Sequence, residues 1–422
     1  MMSTSELPFR WRSIALPALL PTLLFSTGAA AIVPVIPTIA DGLGATLAIA
    51  GFVVALLLIG ELVGNIPSGW LVARIGERPA MIGACGLTVV ALVIALLASN
   101  PVALGFAMFL IGLADAVFSL ARHAFMTSFV PIAYRARALS TVGGVFRFAS
   151  FLGPVIAAGV IYLTGLVGSA LWVTVVAAVA AAIVLVALPD PTTSFGLVRT
   201  EWIEGRRMRE GEALVAKESN SLFRTIAANR GVLARLGLGA ALVSAARSSR
   251  MVILPLWAVS IGVGDVQTAL IIGIAGAVDF ALFYTSGQIM DRFGRLAGAV
   301  PSMVGLGLGH LMLAFTHDVS GAVVWFIVAA MVLAVANGFG SGLLMTLGAD
   351  LADRANPAPF LGAWRFTGNL GGASSPLLIA GVTAVASISL AAGAIGAVAI
   401  AGTFVLVRYI PRYVPKLDNR TS

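Results

Sequence analysis

The sequence predicts an all-α membrane protein with twelve transmembrane helices in two pseudo-symmetric six-helix bundles. Three observations predict it: a composition too apolar for a water-soluble fold, hydrophobic runs of helical length, and a repeat at one fixed offset that divides the runs into two sets.

Of the 422 residues, 59% are hydrophobic and 10% charged, and the mean hydropathy is +1.02. A soluble domain carries roughly 25% charged residues, so the solvent of this chain is mostly lipid. In lipid every backbone amide and carbonyl must be satisfied internally, which leaves helices or closed barrels. Barrel strands read as short alternating segments, whereas these apolar runs last about 20 residues or more. The formal charge of +8 and a pI near 10.5 would suit nucleic acid, but basic loops on one side of a membrane explain them better. The single cysteine, Cys85, lies inside an apolar run, so no intramolecular disulfide forms and a core place is expected. His123, His310 and His317 have no His or Cys partner at ligand spacing, which speaks against a metal site.

Apolar segments fall at 13–40, 47–73, 80–98, 102–130, 138–163, 167–188, 232–262, 266–290, 296–316, 321–350, 359–384 and 387–410. They are spans 1 to 12. Arg10 and Arg12 ahead of the first run, with Ala29-Ala30-Ala31 within it, imitate a secretion signal. Removing that run would leave eleven spans and unpair the halves, so it is read as a retained span 1. Several spans exceed the bilayer thickness and imply tilt. Prolines inside them (Pro17, Pro21, Pro34, Pro37, Pro67, Pro154, Pro255, Pro376) are tolerated where neighbouring helices re-satisfy the freed backbone.

Lys and Arg set the orientation. Arg10, Arg12, Arg74, Arg78, Arg135, Arg137, Arg292, Arg295, Arg354, Arg408, Arg412, Lys416 and Arg420 fall on one side, while the six loops of the other side carry only Asp41, Asp265 and Asp318. Positive loops stay inside, so both termini are expected in the cytoplasm and the protein in the inner cell membrane. The long polar stretch reads as a cytoplasmic central loop over 189–231, between a bundle of 1–188 and one of 232–422. Its pattern supports either one amphipathic helix on the inner leaflet or a solvated tether.

After span 2 the chain reads Gly69-Trp-Leu-Val-Ala-Arg74-Ile-Gly76-Glu-Arg78, and after span 8 Gly287-Gln-Ile-Met-Asp291-Arg292-Phe-Gly294-Arg295. Gly69 and Gly287 stand 218 residues apart, and so do Arg74 and Arg292, Gly76 and Gly294, Glu61 and Asp279, and Arg147 and Arg365. Gly144-Val-Phe-Arg147-Phe also echoes Gly-Ala-Trp-Arg365-Phe. Tandem six-helix halves of this kind build a site between two bundles.

These strings resemble the signature Gly-x-x-x-Asp-Arg-x-Gly-Arg of the major facilitator superfamily. The second copy is close to complete, and the first has Ala73 in place of Asp. On span 5, Gly144, Gly153-Pro154 and Gly159 resemble the antiporter motif of the twelve-span drug–proton antiporters, although the arginine of that group early in span 4 is absent around Met108. The resemblance implies span 2 against span 11, span 5 against span 8, and spans 1, 4, 7 and 10 around a central cavity. It also implies proton-coupled efflux of a small organic compound by alternating access. Uptake or uniport of an organic anion, and a non-transporting sensor or lipid-handling scaffold, stay open.

An ionised side chain near the bilayer centre costs at least about 2.5–3.5 kcal/mol and is a functional hypothesis by default. Glu61, Asp115, Arg122, Arg147, Arg247, Arg250, Asp279 and Arg365 are such residues. Glu61 lies 13 residues before Arg74 and Asp279 lies 13 before Arg292, about 20 Å from that end at 1.5 Å per residue. Arg147 and Arg365 follow Arg135 and Arg354 by 12 and 11 residues, which gives a similar depth. With the implied seams, Glu61 would face Arg365 and Arg147 would face Asp279. These pairs would either offset each other's burial or act as gates, with one acid also taking a proton. Asp115, Ser119 and Arg122 share a face of span 4, Ser244 and Arg247 share one on span 7 with Arg250 a turn on, and Asn337 is the candidate from span 10. Asp115 reads as an ion-pair member, proton carrier or substrate contact. Five arginines against three acids lean toward an anionic substrate. Phe25, Phe118, Trp257 and Phe339 are expected in packing or lipid-facing places.

Strings such as Gly305-Leu-Gly307-Leu-Gly309 sit in apolar runs without a preceding strand, so they are packing glycines rather than phosphate loops. No nucleotide motif and no nucleophile–base set is present. The expectation is a monomeric transporter, not an enzyme, without cofactor or metal, whose partners are a small substrate, protons and lipid rather than nucleic acid or nucleotide.

Overall fold

A computed structural model describes residues 19–130, 132–188, 200–203, 206–353 and 357–414. Arg10, Arg12, Arg354, Lys416 and Arg420 of the charge pattern lie outside them. Twelve long helices follow the expected order. Eleven are long and apolar enough to cross a membrane: Leu20–Gly42, Leu47–Ile75, Glu77–Leu96, Pro101–Phe129, Ile132–Thr164, Ser169–Ala187, Arg230–Ser260, Asp265–Phe293, Arg295–Phe315, Ala322–Leu351 and Ile388–Tyr413. The twelfth, span 11, is Pro357–Val385. Its Arg365, Asn369 and small polar residues dilute its hydropathy. The chain is a multi-pass membrane protein.

Close helix crossings rest on small residues, as lipid requires. A Cβ on Gly60 would lie 2.2 Å from Phe109 O, and one on Gly112 would lie 2.0 Å from Leu57 O, so spans 2 and 4 touch backbone to backbone. Between the halves, span 5 packs on span 8 and span 2 on span 11. The first seam is tight at Gly276, where a Cβ would meet Ser150 O at 2.9 Å. Away from the arginine-rich loops, Ile32, Ile36, Val53 and Val54 of the first half share one core with Ile253, Leu256 and Trp257 of the second.

Three features depart from the plain twelve-span reading. Span 10 breaks after Phe339 and resumes at Leu343, with Gly342 at φ 77°. The central stretch forms an antiparallel ribbon, β1 (Thr200–Ile203) with β2 (Arg206–Arg209), followed by a helix over Glu210–Ala228. That central helix is no free tether: it packs on spans 2, 4 and 11, touching both halves at the arginine-rich end. Its Leu222 and Ile226 lean on the core that contains Phe360 and Trp364.

Candidate functional site

The signature loops are the first layer of the site. Gly76 and Gly294 end spans 2 and 8 at φ 90° and 88°, a conformation nearly closed to residues with a Cβ, which is why both copies need glycine there. In the second copy Arg295 donates through Nε to Asp350 Oδ2 at 2.8 Å and through Nη1 to Asp291 Oδ1 at 3.1 Å, tying span 9 to spans 8 and 10. In the first copy Arg78 instead caps the end of span 6, donating to the carbonyls of Leu185 and Leu188. The position matching Arg295 is Glu77, fully buried, which accepts from Ser128 Oγ and from Arg209 Nη1 at 2.9 Å. Gly211 N donates to the same Ser128 Oγ at 3.0 Å, and a Cβ on Gly211 would lie 1.9 Å from Ala124 O. The first loop thus latches the central segment. Glu77 escaped the sequence reading, yet its signal was there: an acid where the other copy has Arg295.

Deeper in the seam, two polar centres face each other in the repeat. Across the span 5–span 8 seam, Arg147 Nη1 lies 3.0 Å from Asp279 Oδ1 and 3.1 Å from Oδ2, with side chains only 15% and 12% exposed. The Phe283 ring covers the Arg147 guanidinium at 4.9 Å. Asn337 Nδ2 donates to Asp279 Oδ2 at 2.8 Å while its Oδ1 accepts from Arg247 Nε at 2.8 Å. Arg247 Nη1 also donates to Gly340 O at 3.0 Å, at the break of span 10. Ser286 Oγ donates to Phe339 O and Ser341 O, so side chains satisfy the backbone that the break frees. Arg250 Nη2 stands 3.9 Å from Asp279 Oδ2. Two guanidiniums therefore stand at one carboxylate, and a third, Arg247, reaches it through Asn337.

The first half is different. Glu61 does not pair with Arg365 among the described residues; it feels the charge of Asp115 across the span 2–span 4 crossing. The spacing fixed the height of Glu61 on its helix but not its azimuth. A Cβ on Gly112 would lie 2.8 Å from Glu61 N, so the backbone at Glu61 runs against span 4. Asp115 lies in the field of Arg122, whose Nη2 reaches Ser119 Oγ at 3.4 Å, so the expected face of span 4 is assembled. Arg365 acts with Arg122 on His123.

Other candidates have packing roles. Gly153 on span 5 meets span 1, where a Cβ would lie 2.4 Å from Thr27 O, while Gly144, Gly159 and Gly287 face open space. Phe25 and Phe118 stack at 4.1 Å, and Trp257 is fully buried with its edge toward His317. Cys85 is a buried free thiol. Among the described residues no cluster of His, Cys, Asp or Glu has the geometry to hold a metal.

No curated protein matches the chain by sequence. Solved structures of the same fold include the xylose transporter XylE from E. coli in a partially occluded inward-open conformation, 14% identical over 97% of this chain and 99% of that one, with a TM-score of 0.71. A POT family transporter with a thioalcohol-conjugated peptide is 14% identical over 96% and 97%, with a TM-score of 0.75. The human organic anion transporter MFSD10 is 14% identical over 94% and 99%, with a TM-score of 0.65. Residues 18–376 match the Major Facilitator Superfamily, and the chain therefore belongs to that superfamily of secondary transporters working by alternating access, not to a family of enzymes.

Proposed function

We propose that the protein exports a small organic compound from the cell in exchange for protons. One observation supports the coupling: Glu61 of span 2 and Asp115 of span 4 are part-buried carboxylates on two helices that touch backbone to backbone at Gly60 and Gly112, with Ser119 and Arg122 on the face of Asp115. Two carboxylates on touching helices are suited to sharing a proton, which rocking of the halves would expose to one side of the membrane and then to the other. The arginine-rich loops support a cytoplasmic side for the latches, the central helix and both termini, in an inner-membrane protein. Export is supported by the antiporter-like glycines of span 5, of which Gly153 seats span 5 on span 1. The fold also serves a D-xylose–proton symporter and an organic anion transporter. Uptake of an anion is the second reading, favoured by the two guanidiniums at Asp279 and the third that reaches it through Asn337.

The test uses purified protein in proteoliposomes loaded with a pH-sensitive dye. Under an imposed proton gradient, compounds of each charge class are added in turn. Export coupling predicts proton movement opposite to substrate; parallel movement of both would select the uptake reading. Silence across the whole panel would favour a sensor or scaffold and contradict both.

A further inference from the structure

Resting on the transporter reading, the geometry points to an organic anion as substrate, held by Arg250 and Arg147 through one carboxylate or phosphate group that takes the donors Asp279 otherwise occupies. Asp279 receives Arg147 Nη1 on both oxygens and Asn337 Nδ2 on one, with Arg250 Nη2 3.9 Å away. The protein itself has placed a carboxylate between two guanidiniums, with a third, Arg247, one residue removed through Asn337. One negative charge against three positive ones leaves an excess that a buried, low-dielectric place resolves by binding an anion.

The three arginines are not equivalent. Arg247 is engaged by Asn337 Oδ1 and Gly340 O, both within 3.0 Å, and serves as a positioning residue that orients Asn337. Arg147 serves both carboxylate oxygens from Nη1 alone, so among the described bonds its Nε and Nη2 remain uncommitted. Arg250 holds only marginal partners: Arg247 O at 3.4 Å, Leu333 O at 3.5 Å and Asp279 Oδ2 at 3.9 Å. A planar guanidinium fork matches carboxylate and phosphate alike. Arg147 is the first half's contribution to the centre, while Asp279, Arg250 and Asn337 belong to the second. An anion that draws Arg147 from Asp279 therefore loosens the span 5–span 8 seam, which links binding to rocking.

The experiment measures ligand-induced thermal stabilisation and affinity on full-length protein in detergent. The probes are aliphatic and aromatic monocarboxylates, organic phosphate monoesters, quaternary ammonium compounds and neutral sugars. Anions are expected to bind, with the carboxylate and phosphate arms deciding between the two groups. Arg250→Ala should weaken binding about tenfold or more, as for loss of a charged hydrogen bond, and Arg250→Lys should recover part of it. Asp279→Asn should bind the anion several-fold more tightly than the parent, because the internal competitor is gone; a merely structural Asp279 would give weaker binding. The inference is overturned if no anion binds, if Arg250→Ala binds as well as the parent, or if Asp279→Asn binds more weakly. Flux of a cation or sugar in proteoliposomes would overturn it while leaving the transporter reading intact, whereas anion binding without any flux would strike at the transporter reading instead.

Discussion

Span 2 carries Glu61 where span 8, 218 residues on, carries Asp279, and the two carboxylates live in opposite surroundings. Asp279 is gripped by Arg147 and Asn337 with Arg250 beside it. Glu61 faces a second acid, Asp115, across a crossing where Gly112 lets two backbones touch. A duplicated fold has thus kept its helices and divided its electrostatics, with acids and arginines in balance in the first half (Glu61 and Asp115 against Arg122 and Arg147) and a guanidinium excess in the second (Asp279 against Arg247, Arg250 and Arg365). The same inversion occurs at the loops, where Glu77 holds Arg209 while Arg295 holds Asp350. Repetition preserves the backbone because close crossings and glycine turns tolerate little change; the charges between the bundles are free to specialise.

Truncating each acid breaks this comparison with the largest effect. Asp279→Ala strands buried guanidiniums and should destabilise by about 3–5 kcal/mol. Glu61→Ala removes one of two like charges and should cost far less. Unfolding temperatures in detergent, without added anion, check the difference, and equal losses would mean that the two centres are electrostatically alike.

A smaller effect separates the latches. Arg295→Ala loses a partly buried pair with Asp350 and should cost about 1 kcal/mol, while Asp291→Asn, at a side chain 77% exposed, should change almost nothing. Glu77→Gln should leave the bundles intact yet release the central helix, seen as faster proteolysis near Arg209. Unchanged proteolysis would mean that Gly211 against Ala124 holds the segment without the ion pair.

Much of this architecture was legible beforehand. Hydropathy and prolines drew the twelve helices to within a few residues at most ends, because a lipid-facing helix must be apolar along its whole length. The 218-residue spacing led to the contact of Arg147 with Asp279, since repeat position and depth agreed. It failed for Glu61 and Arg365 because depth does not report which neighbour a helix face meets. The break in span 10 had its signal in Gly338-Phe-Gly340-Ser-Gly342, but an apolar run conceals an unwound turn, and Asn337 gains its bridging role only there. Docking of the central helix was not legible, as an amphipathic pattern does not say whether lipid or protein covers the apolar face.

On this reading Glu61 and Asp115 of the first half carry the proton, while binding and rocking do not require it. The direct measurement compares the parent with Glu61→Gln, Asp115→Asn and the double variant in proteoliposomes, following substrate exchange at equal pH and uphill transport driven by a proton gradient. The account predicts that the variants keep exchange within about twofold of the parent, because binding and rocking remain, and lose gradient-driven accumulation. Uphill transport that survives in the double variant would contradict it and place the proton elsewhere, with Asp279 the next residue to test.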